Sequence, residues 1–214
     1  MKKILPIIAL IIAPLFSFGQ TASYDASLDS SYRNSGFYTM IPLHHCDTFR
    51  FGARVANLDT DTLTNVSVSV SVENFSESIS LGTLAPNATP TGETSAGYLP
   101  TSTGVKNIYF NTSATETEKT YANNYDTMSF EVTETVYARD LGFADGGLGF
   151  NTGSGFVGQK FDINENDTIT TISFYLNTPS TGDSCRAYLM NWNGGPGSTI
   201  DSSEVIYQSA NQNW

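Results

Sequence analysis

Val66, Val68, Val70 and Val72 alternate with Ser67, Ser69 and Ser71. Successive side chains of a strand point to opposite faces, so four valines share one side and three serines the other. Such a segment is a half-buried antiparallel strand with one wet face. Just upstream, Phe49, Phe51, Ala53 and Val55 alternate in the same way, and a polar stretch over residues 57–62 separates the two runs. The pattern assigns the chain to the all-β class and by itself carries no chemistry.

The first residues address the chain rather than fold it. Lys2 and Lys3 precede an apolar run from Ile4 to Phe18 that Pro6 and Pro14 interrupt, and Ser17 and Gly19 are the small residues read before a cut. Residues 1–19 are therefore predicted to be a signal peptide for the general secretory pathway, which makes the protein secreted or displayed at the cell surface. The run is shorter than the about 20 continuous apolar residues that span a bilayer. No membrane insertion is expected after cleavage, and no Cys lies near the cut to carry a lipid. Of the ten Lys and Arg, Lys2 and Lys3 leave with the signal, while all 21 Asp and Glu stay. That acidity opposes nucleic acid and anionic membranes as partners and serves solubility outside the cell. Cys46 and Cys185 are the only cysteines. A secreted location permits a disulfide, yet the two fall in different predicted domains, so separate thiols are expected.

Residues 20–36 are polar and predict a loosely attached lead-in. Over residues 37–140 short apolar runs alternate with turn signals. Phe37 to Leu43 carries Pro42, which suits an edge strand; the runs 49–55 and 66–72 follow, then Phe75, Ile79 and Leu81, then a Pro- and Gly-rich stretch over 85–104 that reads as turns and loop. Ile108 and Phe110 share one strand face, and Met128, Phe130 and Val132 another. Six or seven such strands predict an immunoglobulin-like antiparallel β-sandwich. Seven glycines over residues 142–158, interleaved with Phe143, Phe150 and Phe156, read as an irregular edge strand. A second sandwich is expected over 141–214, with Phe161, Ile172, Phe174 and Leu176 inward, Tyr188, Met190 and Trp192 on a further strand, and Val205 and Tyr207 on a last one. Four strands leave open edges, so this part reads as truncated and unable to fold alone.

The segments Tyr38-Thr39-Met40-Ile41-Pro42-Leu43, Phe51-Gly52-Ala53-Arg54-Val55-Ala56-Asn57, Thr62-Leu63-Thr64-Asn65-Val66, Tyr121-Ala122-Asn123-Asn124 and Phe130-Glu131-Val132, taken in order, resemble the bacterial cell-adhesion-related immunoglobulin-like domains. Leu58-Asp59 stands where that family places a Gly in its turn. Over 141–214, Gly158-Gln159-Lys160-Phe161, the run from Ile169 to Leu176 and Pro196-Gly197 resemble the jelly-roll-like module that comes after such domains in surface proteins of gliding and gingipain-type bacteria. The resemblance implies an amino-terminal part of a longer protein of the type IX-secreted kind.

Candidate sites are few. Residues 162–167 imitate the start of a calcium loop, but Asp167 occupies the glycine position and Ser173 the final Glu position; a turn between strands is expected there, and Asp59 and Asp61 are expected to solvate a hairpin that joins the runs 49–55 and 66–72. His44, His45 and Cys46 have the chemistry of soft metal ligands or of a Cys/His pair. On a strand, adjacent residues face opposite ways and could not converge, so no metal ligand is assigned. Ser154 lacks the flanking glycines of a nucleophile elbow, since Thr152 and Phe156 stand at those positions; no catalytic residue and no cofactor is assigned. The Asn-x-Ser/Thr sequons at Asn65, Asn74, Asn87, Asn111 and Asn166 reflect a composition rich in those residues. Trp192 with Asn191 and Asn193 is the one hint of a ligand, an aromatic face beside amides as sugar sites use; the competing reading is a core Trp. The function expected is a non-catalytic adhesion or spacer module of a bacterial surface protein, with a surface protein or glycan as partner. The alternative is an accessory carbohydrate- or protein-binding part of a larger secreted hydrolase.

Overall fold

A computed structural model describes residues 24–34, 38–140, 153–174 and 184–207. The signal peptide (1–19), Phe37, residues 142–152 of the glycine-rich stretch with Phe143 and Phe150, Leu176 and Trp214 lie outside the described residues, while Phe156 is exposed and in no strand. Within them, β1 (Ala26–Arg33), β2 (Met40–Pro42), β3 (Phe51–Asn57), β4 (Leu63–Val72), β5 (Phe75–Leu84), β6 (Thr91–Glu93), β7 (Gly104–Ser113) and β8 (Tyr125–Thr133) make two facing sheets, ordered β1-β3-β6 and β2-β8-β7-β4-β5. The fold is all-β, an immunoglobulin-like sandwich.

The alternation read from β4 holds. Val66, Val68, Val70 and Val72 are at most 1% exposed, and each contributes about 1.5–3 kcal/mol by leaving water. They meet Phe51, Ala53 and Val55 of β3, fully buried in the same core, with Ile108, Phe110, Phe130 and Val132 beside them. Asn65, at φ 51, forms a bulge that resets the register, so that Leu63 and Val66 both face inward. On the wet side, Ser67, Ser69 and Ser71 stand opposite Ser80, Ser78 and Ser76 of β5.

Three expectations are corrected. Residues 26–33 are not part of a loose lead-in: β1 pairs along the whole of β3, and Ala26 is fully buried. A shift between Leu28 and Ser30 breaks its alternation, which hid it among Ser and Asp. Tyr32 lies across Gly52, where a Cβ would come within 2.1 Å of the ring, and its hydroxyl donates to Glu93 at 2.9 Å. Next, β3 and β4 are not one hairpin, because they belong to different sheets. Buried Asn57 holds the crossing, its amide donating to the carbonyls of Asp61 and Leu84 at 2.8 and 3.0 Å while its oxygen accepts from the Asp59 amide. Finally, the loop expected at 85–104 contains β6, which pairs with β3. Pro42 does sit on an edge, in β2, and the partner of β2 is the parallel strand β8.

Beyond Asp140 the second sandwich is not seen among the described residues. Residues 153–174 contain no strand, and Ile172 and Phe174 are exposed. Further on, β9 (Ser184–Cys185) pairs with β12 (Ile206–Tyr207), and β10 (Tyr188–Trp192) with β11 (Pro196–Ser202). None of these residues is buried, since two two-stranded ribbons cannot enclose a core. Cys46 carries a free thiol. No helix among the described residues is long and apolar enough to cross a membrane.

Candidate functional site

Directly after β2 the chain turns. Pro42 ends the strand, and Leu43–His45 forms a single 3-10 turn that the Cys46 amide closes on the Leu43 carbonyl at 3.1 Å. Successive side chains of such a turn diverge by about 120° instead of the 180° of a strand. His44 and His45 therefore lie side by side, with ring centroids 4.1 Å apart. This overturns the strand geometry on which their divergence was expected. Cys46 does not join them: its thiol donates to the Pro42 carbonyl, and burial pushes its pKa up to about 11.

The two rings are met by residues 160–167. Phe161 packs on Tyr38 and Tyr137, with centroids 6.0 and 5.8 Å away. The Asp162 amide donates to the Tyr38 hydroxyl at 2.7 Å, and the Asn164 side chain donates to the His45 carbonyl at 2.8 Å. Asp167 Oδ2 then lies 3.1 Å from His44 Nε2 and 3.0 Å from His45 Nε2. The stretch expected to be a turn between strands is thus a docked arm.

The protons can be assigned. A backbone N–H only donates, and that of Glu165 points at His45 Nδ1, 3.3 Å away. His45 Nδ1 is therefore the bare nitrogen, and Nε2–H donates to Asp167. Hydrogen bonds from His45, the Thr168 amide and His44 hold the Asp167 carboxyl down to about 2. His45 is fully buried, whereas the side chains of His44 and Asp167 are 47% and 42% exposed. A shallow cavity of about 190 Å³ lies beside His45, lined by Tyr38, Asp47, Phe49 and Asn164 among others.

Trp192, Asn191 and Asn193 lie elsewhere, at the tip of the β10–β11 ribbon. Trp192 is 52% exposed; the Asn191 amide donates to Ser198, and the Asn193 amide to the Gly195 carbonyl. The indole is not a core residue. Sequence reasoning missed the cluster of His44, His45 and Asp167, whose partners stand 122 positions apart. The one local signal was Pro42, which ends the strand before the histidines.

No protein-family model matches this chain, and no curated protein matches it. Among solved structures, it is similar to the solution NMR structure of the CARDB domain of a Pyrococcus furiosus protein, with 16% identity and a TM-score of 0.43 over 53% of this chain and 98% of that domain.

Proposed function

We propose that this chain is a non-catalytic adhesion or spacer module of a secreted bacterial surface protein, of the type IX-sorted kind that its sequence resembles. The observation that carries the reading is the docked arm. Chain that leaves the sandwich after β8 returns to its end and is fastened there at Tyr38, His45 and Asp167. A spacer has to hold a fixed distance between the segments on its two sides, and a fastened exit segment does that where a free glycine-rich linker would not.

Small-angle scattering on residues 20–214 tests this. Asp167→Ala is expected to broaden the distance distribution while the sandwich keeps its cooperative melting transition, because Asp167 lies on the arm and outside the apolar core. Identical scattering from both proteins would refute the spacer role, and reproducible hydrolase turnover abolished by one substitution would refute the non-catalytic one. The exposed indole of Trp192 beside Asn191 and Asn193 favours a second reading, an accessory glycan-binding part of a larger hydrolase. Indole fluorescence that stays constant on titration with neutral oligosaccharides excludes that reading.

A further inference from the structure

We infer that His44, His45 and Asp167 form a binding site for a late first-row transition metal, Zn²⁺ in the first instance, that locks the docked arm onto the end of the sandwich. The three ligand atoms, His44 Nε2, His45 Nε2 and Asp167 Oδ2, all lie within 4.8 Å of one another. Zinc bound by imidazole and carboxylate at about 2.0–2.2 Å in a tetrahedron places its ligand atoms about 3.3 Å apart. The two nitrogen–oxygen separations, 3.1 and 3.0 Å, need open by only a few tenths of an ångström, and the exposed His44 ring adjusts the nitrogen–nitrogen edge, which is at most 4.8 Å.

The donor set selects the ion. Two imidazoles and one carboxylate suit Zn²⁺, Ni²⁺, Co²⁺ and Cu²⁺, whereas Ca²⁺ takes six to eight oxygens and Mg²⁺ an octahedron of oxygens. His44 and Asp167 keep about half their side-chain surface in water, so an ion has a path in and a fourth position open to solvent. His45, buried, supplies the fixed ligand. Its ring is packed against Tyr137 at 5.3 Å and, before an ion binds, accepts from the Glu165 amide.

The metal-free tautomer imposes one cost, and it provides a signature. With Nδ1 accepting from Glu165, the proton of His45 sits on Nε2, where the metal has to bind. On binding, that proton moves to Nδ1 through solvent, the ring stays neutral, and the long Glu165 N–H bond is given up. His44 exchanges its Nε2 proton for the metal in the same way. No charge is stranded, and the ion replaces two hydrogen-bond protons between the rings and the carboxylate. The arm remains fastened, through three coordination bonds instead of two hydrogen bonds.

The test uses residues 20–214 without any histidine tag. Titration calorimetry with ZnCl₂ should give one saturable site, absent with CaCl₂ or MgCl₂. His44→Ala and Asp167→Ala should each weaken it at least ~10-fold, and neither residue belongs to the apolar core, so both proteins should keep the parent's cooperative melting transition. The backbone amide resonance of Glu165 should shift on zinc addition in the parent and not in Asp167→Ala. Proteolysis within residues 153–174 should slow with zinc in the parent alone. Absence of saturable zinc binding would overturn the inference. So would zinc binding that both substitutions leave intact, which would put the ion on other surface carboxylates.

Discussion

Val68→Asp is expected to abolish the cooperative unfolding transition, while Ser69→Asp, one position on, leaves the midpoint nearly where it was. Val68 is fully buried between Ile79 of β5 and Thr112 of β7. A carboxylate there would sit among apolar side chains, with buried Lys106 already paired to Glu73, and a buried unpaired charge costs several kcal/mol even after its pKa rises to neutralise it. That is on the scale of the 5–15 kcal/mol that holds a typical domain folded. Ser69 faces water beside Ser78 and Asn111, and exposed substitutions usually stay within about 0.5 kcal/mol. Urea titration followed by far-ultraviolet circular dichroism separates the two. Equal midpoints would mean that β4 runs in the other register, with every side chain on the opposite face.

The second large effect is expected at Glu73→Gln. Lys106 is 2% exposed, and its ammonium donates to Glu73 at 2.5 Å and to Ser102 at 3.1 Å. Glu73 also accepts from Tyr98 at 2.5 Å. Removing the carboxylate strands a buried cation, which can cost 3–5 kcal/mol in a sealed site. Because the Glu73 side chain is 40% exposed, solvent screens the pair, and a loss of about 2 kcal/mol is expected. Adding Lys106→Met should restore most of it, since the charge that was stranded is then gone. Hydrogen bonds from Lys106 first, and then Tyr98, hold the Glu73 carboxyl below the usual carboxylate range. Its contribution is therefore present above that range and lost as the pH falls through the lowered value. The stability gap between parent and Glu73→Gln should close in acid, and a gap constant from pH 7 to pH 3 would refute the pairing.

How much was legible depended on whether the cause was local. The strands β4, β5, β7 and β8 were readable because over 66–72, 75–81, 108–110 and 128–132 their aliphatic residues and phenylalanines keep to one face, and alternation is a property of neighbours. By contrast β1 was not, because its bulge breaks the period and its outward face is Ser and Asp. Which sheet β3 joins was hidden as well: the polar 57–62 stretch fits a hairpin turn and a crossing between sheets equally, and only Asn57, bonded to both Asp61 and Leu84, distinguishes them. For the site, the histidines were noticed and misplaced by the assumption of a strand. Asp167 was set aside because a calcium loop fails there, while its real partners lie across the whole sandwich.

The parallel pairing of β2 with β8 has a kinetic consequence. Met40 is synthesised well before Glu131, its partner, so β2 has nowhere to pair until almost all of the sandwich has been made. Contacts so distant along the chain form late, after the loop-closure entropy has been met. The turn bearing His44 and His45 hangs from β2 and acquires its orientation only then. Occupancy of that end of the molecule would thus report that folding had run to completion, and a chain arrested earlier would present two unconverged imidazoles and an arm with no dock.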